Sequence, residues 1–99
     1  MKAYCIVYET IENEKAFSEY RAQVIPTFEP YGGRFLVRGG AFTVLEGEMP
    51  HKRVVILEFP SRQQAEAWYN SPAYQRILPL RIQAGHCQFI VVDGLDAAS

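Results

Sequence analysis

The spacing of apolar residues divides this chain into four short runs typical of strands and two longer regions with helical periodicity. The strand-like runs begin at Ala3, Arg34, Arg53 and Cys87 and are rich in β-branched and aromatic residues. In the first helical region, apolar residues recur at steps of three and four: Phe17, Tyr20, Val24, Phe28 and Tyr31. The order strand, helix, strand, strand, helix, strand predicts an α+β, ferredoxin-like βαββαβ fold with a four-stranded antiparallel sheet.

The expected helix boundaries follow from capping residues. Asn13 is a plausible N-cap for the first helix, and Pro26 should kink or loosen its last turns because proline has no amide donor. Ser61 and Gln64 have the spacing of a capping box, and Ser71 followed by proline should begin a further helical segment. A short extended piece is expected at residues 42–46.

The first, third and last strands are apolar at nearly every position, which conflicts with a sheet that is covered on one side only. Leaving either face open to water would forgo about 10 kcal/mol of free energy from burying its apolar side chains. This is comparable to the ~5–15 kcal/mol unfolding free energy of a whole domain. A second copy of the same face would cover them. We therefore expect a homodimer through the sheet face, in which two sheets form a dimeric α/β barrel.

Composition narrows the functional classes. The net charge is −1 and no Lys/Arg run occurs, so we expect no nucleic-acid partner. No apolar run approaches the roughly 18 residues of a membrane span, and the N-terminus lacks signal-peptide features, so we expect no membrane partner and a cytoplasmic location. Residues 1–99 should form a single domain with a frayed tail at 94–99.

Cys5 and Cys87 should pack as small apolar side chains rather than form a disulfide. His51 and His86 have no metal-ligand spacing, and no predicted helix carries a histidine that could bind haem iron. We expect neither a metal nor a cofactor.

The second strand lies within the segment YGGRFLVRGG at residues 31–40, which has a glycine pair at each end. Regular alternation would place Arg34, Leu36 and Arg38 on one face, where two guanidinium groups could bind a carboxylate or phosphate. The alternative is that each arginine pairs with a structural carboxylate. Arg38 and Glu58 are on strands that the hairpin should place side by side, so they could form a structural ion pair or part of a pocket.

Four motifs in this order resemble a small bacterial domain-of-unknown-function family in the dimeric α/β-barrel superfamily: YGGRFLVRGG, LEG, LEFPS and AWYNSPAY. The resemblance covers nearly the whole chain and implies a homodimer of this fold, without an assigned reaction. The superfamily also contains antibiotic-biosynthesis-type monooxygenases, haem-degrading enzymes and muconolactone isomerases. Ala73 stands where the family usually has a glutamate, so a carboxylate has no role at that position here.

Two functional hypotheses remain open. In the first, a pocket between sheet and helices binds a small anionic or aromatic metabolite, and Tyr31 or His86 moves a proton, as in a cofactor-free isomerase or monooxygenase. Its ligand-binding residues would be the arginines, the glutamate and the aromatic residues of the motifs: Arg34, Arg38, Glu58, Trp68, Tyr69 and Tyr74. In the second, the protein is a non-catalytic dimeric ligand-binding or scaffold module, and the same residues are structural.

Overall fold

The structure, a computed structural model, describes residues 1–95. Its strands and helices, in chain order, are β1 (Ala3–Ile11), α1 (Glu14–Arg21), α2 (Ile25–Phe28), β2 (Arg34–Arg38), β3 (Arg53–Phe59), α3 (Arg62–Tyr69), α4 (Pro72–Ala84) and β4 (Gly85–Asp93). The predicted order of strands and helices is confirmed. Most of the predicted tail at 94–99 lies outside the described residues; within them, the Gly94 amide donates to the Lys2 carbonyl oxygen at 2.7 Å.

Side-chain caps begin three of the helices. The side chain of Asn13 accepts a hydrogen bond from the Ala16 amide at 3.1 Å, and the hydroxyl of Ser61 accepts one from the Gln64 amide at 3.1 Å. Ser71 caps α4 by accepting from the Tyr74 amide at 3.2 Å. Each cap satisfies an amide that has no partner within its own helix.

Proline has different effects in the two helical regions. The first region stops at Arg21 and resumes as the short helix α2, with Pro26 in its first turn, so the expected loosening is a complete break. Pro79 lies inside α4, yet this helix continues to Ala84. A single-turn 3₁₀ helix at Glu29–Tyr31 ends at Gly32, whose φ of 78° favours glycine because it has no Cβ.

The strands form one antiparallel sheet in the order β2-β3-β1-β4. Strand β1 is central and pairs along its whole length with β4, in a register that places Ile6 opposite Ile90. On its other side Ile6 lies opposite Ile56 of β3. This strand order and direction is the ferredoxin-like arrangement, so the predicted fold class is confirmed.

The core lies between the helices and one face of the sheet, with Trp68 at its centre. The Trp68 side chain is fully buried; its ring is stacked on Phe59 at a centroid distance of 5.3 Å and meets Phe28 edge-on at 6.1 Å. Its indole N–H donates to the Thr27 hydroxyl at 3.0 Å, and that hydroxyl donates to the Val24 carbonyl oxygen at 2.6 Å. The tryptophan therefore joins α3 to both α2 and the sheet.

The predicted shared face of Arg34, Leu36 and Arg38 is wrong because β2 contains a bulge. Arg34 lies opposite Glu58, but the register shifts between Phe35 and Val37, so that Arg38 lies opposite Val55. Directly opposed residues share a face of the sheet. Arg34 is therefore on the face away from the helices, with Glu58, and Arg38 is on the helix-covered face, with Val55. One additional residue in a bulged strand reverses the alternation beyond it.

The opposite face of the sheet, which we call the open face, has no helix over it within residues 1–95. An apolar row crosses it from strand to strand: Val37, Ile56, Ile6 and Ile90. Half of the Ile90 surface and 42% of the Val92 surface are exposed. The expectation that apolar side chains occupy both sides of the sheet is confirmed.

The connection between β2 and β3 contains no strand. The predicted extended piece at residues 42–46 is therefore not part of the sheet, and its side chains are exposed. A strand requires a neighbour for its backbone groups, and none pairs with this segment within residues 1–95. None of the helices in this part of the chain has the length and apolar character that would let it cross a membrane.

We predict that Gly85→Ala destabilises the protein. An added Cβ at this position would lie 2.0 Å from the carbonyl oxygen of Thr10, on the backbone of β1, so one of the paired strands must shift. The expected loss is about 1–3 kcal/mol of unfolding free energy, as for other overpacked sites. Chemical denaturation measures it. Gly40→Ala is the control, because its Cβ would meet only the Val37 side chain at 3.8 Å. Equal stability of the two variants would contradict the prediction.

Candidate functional site

A small open cavity lies between the sheet and the helices. Its volume is about 30 Å³, measured as the space open to the centre of a water molecule, about twice the minimum that holds one water. The lining residues come from the covered face of all four strands, from three helices and from the turn after α1: Val7, Glu9, Phe17, Tyr20, Arg21, Val24, Phe35, Arg38, Arg53, Val55, Leu57, Trp68, Arg81 and Phe89. This is where the sequence predicted a pocket.

Most of the cavity wall is apolar. Trp68 and Leu57 are buried and belong to the core, and Phe35 and Phe89 contribute half-buried rings from the outer strands. Fixed aromatic and aliphatic walls with a few polar groups are typical of small-molecule sites. The walls alone would favour a flat apolar ligand.

Two exposed arginines stand at the mouth of the cavity. Arg21 is in the last turn of α1 and Arg38 is the last residue of β2. Within residues 1–95 neither forms an ion pair with a carboxylate. Arg38 lies over the Phe35 ring at 4.4 Å. Burial, followed by the like charges of Arg21 and Arg53, lowers the pKa of Arg38. A bound anion would relieve this repulsion.

An ion pair lies deeper in the cavity. Glu9 is 4% exposed and accepts a hydrogen bond from the guanidinium of Arg53 at 2.8 Å. Arg53 also lies over the Phe17 ring at 5.0 Å and is packed against Gly39, where a Cβ would overlap the guanidinium. With φ of 76°, Gly39 has two reasons to be glycine. The charges of Glu9 and Arg53 cancel, so the net positive charge of the cavity comes from the other arginines in its lining.

A hydrogen-bonded chain of side chains forms another part of the wall. Arg81 of α4 donates from Nε to the Tyr74 hydroxyl at 3.1 Å, and this hydroxyl is 3.0 Å from the hydroxyl of Tyr20. Tyr74 is fully buried behind the wall, whereas Tyr20 and Arg81 line the cavity. Burial is the main cause that raises the pKa of both phenols, so both are protonated at neutral pH. Arg81 also contacts the Cys87 sulfur.

The predicted site residues are divided between the two faces of the sheet. Arg38 and Trp68 line the cavity. Arg34 and Glu58 lie on the open face and pair with each other at 3.0 Å, with Lys2 3.4 Å from the same carboxylate. The hydrogen bond from Arg34 is the main cause that lowers the pKa of Glu58. The expected ion pair of Glu58 with Arg38 is wrong, because the register of the two strands places Arg34 opposite Glu58.

The remaining predicted residues do not line the cavity. Tyr69 and Tyr74 pack ring to ring at 5.4 Å, in an aromatic cluster with Trp68. Tyr31 packs against the edge of the core at the end of the 3₁₀ turn. His86 is on the exposed side of β4 and lies 3.1 Å from the carboxylate of Glu12. The proposed proton transfer by Tyr31 or His86 stays a prediction that this cavity does not support.

Neither cysteine forms a disulfide within the described part of the chain. Cys5 is buried, and burial raises the pKa of its thiol to about 12. It therefore packs as an apolar side chain and has almost no thiolate at neutral pH. Among residues 1–95, no three or more His, Cys, Asp or Glu side chains form a group that could hold a metal ion.

Sequence reasoning missed the inner polar groups. The signal for Glu9 was present, because it continues the alternation of the buried residues Ala3, Cys5 and Val7 along β1. A carboxylate in this phase must face the core and needs a buried partner. Tyr20 was identified only as part of the apolar stripe of α1. No local pattern shows that its hydroxyl meets Tyr74, 54 residues later.

Three solved structures are similar to this chain over nearly its whole length. A protein of unknown function from Rhodopseudomonas palustris is 20% identical, with a TM-score of 0.77, and the match covers 96% of this chain and 83% of that one. A dimeric ferredoxin-like protein of unknown function from Jannaschia sp. CCS1 is 15% identical, with a TM-score of 0.68 and coverages of 95% and 100%.

The third, SnoaB, is a cofactor-independent oxygenase from Streptomyces nogalater. It is 9% identical to this chain, with a TM-score of 0.64 and coverages of 97% and 95%. At these identities the similarities show the fold alone. No curated protein matches the chain.

The sequence model of one protein family matches residues 2–95 of this chain, which is nearly all of the described structure. The predicted resemblance to a domain-of-unknown-function family of this superfamily is confirmed. The chain belongs to the family described as domain of unknown function DUF1330.

Proposed function

We propose that this protein binds a small anion with an apolar body, with the anionic group at Arg38 and Arg21 and the body between the apolar walls. One observation carries the proposal: two arginines without a carboxylate partner in the described chain stand at the mouth of an otherwise apolar cavity. A guanidinium fork suits a carboxylate or phosphate group. The rings of Phe35, Trp68 and Phe89 in the wall suit a flat aromatic body, such as that of a substituted benzoate.

We propose ligand binding rather than catalysis. Catalysis is the alternative, and the similar structures do not support it, because at their low identities they show the fold alone. The solved oxygenase from Streptomyces nogalater is described as cofactor-independent, and a cofactor-free reaction in this chain would need proton-transferring groups beside the ligand. The groups that line the cavity are Glu9 and Tyr20. Glu9 is held in an ion pair with Arg53, which suits a structural carboxylate better than a general base.

We also propose that the protein is a cytoplasmic homodimer joined through the open face of the sheet. The apolar row on this face includes Ile6, Ile56 and Ile90, and a two-fold dimer would bury two such rows against each other. A similar structure from Jannaschia sp. CCS1 is described as dimeric. The free thiols of Cys5 and Cys87 fit the reducing conditions of the cytoplasm.

We predict that Arg38→Ala weakens anion binding and that Arg34→Ala does not. The two residues are on one strand, but only Arg38 faces the cavity. Titration of 4-isopropylbenzoate, followed by the fluorescence of Trp68, the single tryptophan of the chain, should show an affinity loss of about tenfold or more for Arg38→Ala, the effect of a lost charge-assisted hydrogen bond.

The uncharged 4-isopropylbenzamide is the ligand control, and calorimetry is the second readout. The wild-type protein should bind the carboxylate and not the amide. Binding of neither compound, equal binding of both, or an equal loss in Arg34→Ala would each show that the proposed function is wrong.

We predict that Ile90→Lys converts a dimer into a folded monomer. The lysine would place a charge in the apolar row of the open face, where a partner must remove it from water. Light scattering should give twice the chain mass of 11.3 kDa for the wild type and a single chain mass for the variant. Ile82→Lys is the control, since Ile82 is an exposed isoleucine of α4 rather than of the sheet. A monomeric wild type at micromolar concentration would refute the interface.

A further inference from the structure

The donor and the acceptor of each hydrogen bond that links Arg81, Tyr74 and Tyr20 can be assigned by asking where each proton goes. A guanidinium group only donates hydrogen bonds, so the Tyr74 hydroxyl is the acceptor for Arg81. Tyr74 is fully buried, and its own hydroxyl proton also needs an acceptor. Within residues 1–95, the hydroxyl of Tyr20 at 3.0 Å is the acceptor that its geometry provides.

The opposite direction would leave a buried proton without a partner. If Tyr20 donated to Tyr74, the Tyr74 hydroxyl would accept twice and its proton would have no acceptor. An unsatisfied buried donor is disfavoured because it loses its hydrogen bond to water without gaining another. The favoured order is therefore Arg81 to Tyr74 to Tyr20.

This order leaves one proton unassigned, that of the Tyr20 hydroxyl. Tyr20 is 9% exposed, and it lines the cavity. Within residues 1–95 the Tyr20 hydroxyl forms no hydrogen bond besides that with Tyr74, and the cavity that it lines offers space for a further acceptor. Arg81 lines the cavity near it and, like Arg38, has no carboxylate partner in the described chain.

We infer that Tyr20 positions the ligand by donating a hydrogen bond to a second oxygen on its apolar body, inside the cavity and away from the arginines at the mouth. This inference rests on the proposed function and narrows it. The ligand class becomes a carboxylate whose apolar body carries an uncharged acceptor oxygen, such as a ketone, at the end opposite the anionic group.

The inference can be tested with two carboxylates of similar shape. 4-Acetylbenzoate carries a ketone oxygen opposite its carboxylate, and 4-isopropylbenzoate has a methyl group in its place. In the proposed orientation, the carboxylate lies at Arg38 and the ketone at Tyr20, since both residues line the cavity. The wild-type protein should prefer the ketone by roughly tenfold, the effect of one additional hydrogen bond. Trp68 fluorescence and calorimetry measure both affinities.

The variant Tyr20→Phe should abolish this preference. It should weaken binding of 4-acetylbenzoate by about the same factor and leave that of 4-isopropylbenzoate nearly unchanged. Tyr69→Phe is the matched control: it removes a phenol hydroxyl from the same aromatic cluster, at a residue outside the cavity lining. Thermal unfolding of each variant confirms that it is folded, and Tyr20→Trp serves as a blocking variant that should exclude both ligands.

The outcomes separate this inference from the proposed function. If the wild type binds 4-isopropylbenzoate in an Arg38-dependent way but shows no preference for the ketone, or if Tyr20→Phe keeps the preference, the role of Tyr20 is wrong and the anion site stands. If the wild type binds neither carboxylate, the anion site is wrong and this inference fails with it.

Discussion

The hydrogen bond from the Trp68 indole to Thr27 and the packing of the Trp68 rings hold the two halves of the chain together. Trp68 comes from α3, in the second half, and its indole N–H reaches Thr27 of α2, in the first half. Its rings stack on Phe59 of the sheet and contact the tilted ring of Tyr74 of α4. A large aromatic side chain supplies buried area, while its single donor fixes the orientation. The same residue forms part of the cavity wall, so the stability of the fold and the shape of the site depend on one side chain.

The fold could be predicted from the sequence because its signals are local and consistent. Apolar spacing, the caps at Asn13, Ser61 and Ser71, and the order of the elements all indicated the same βαββαβ arrangement. The apolar residues on both sides of the sheet were also visible in the sequence. These properties depend on neighbours within a few positions, which is the range that sequence patterns describe reliably.

The site could be predicted only in part, because it depends on register and on contacts between distant residues. The pocket between sheet and helices and the residues Arg38 and Trp68 were foreseen; Glu9, Tyr20 and Arg81 were not. The bulge in β2 placed Arg38 on the covered face, while Arg34 pairs with Glu58 on the open face. A bulge is set by how two strands pair, and a single strand shows no sign of it.

The bulge also has a consequence for how the length of this strand can vary. Because β2 already holds one residue more than its partner needs, a shorter strand with one residue fewer between Phe35 and Arg38 would pair regularly and keep both arginines on their present sides. A regular strand of the present length would instead place Arg38 on the open face, the same face as Arg34. At the present length of the strand, the bulge therefore keeps the two arginines on opposite faces of the sheet, so that one short strand contributes a charge to each face.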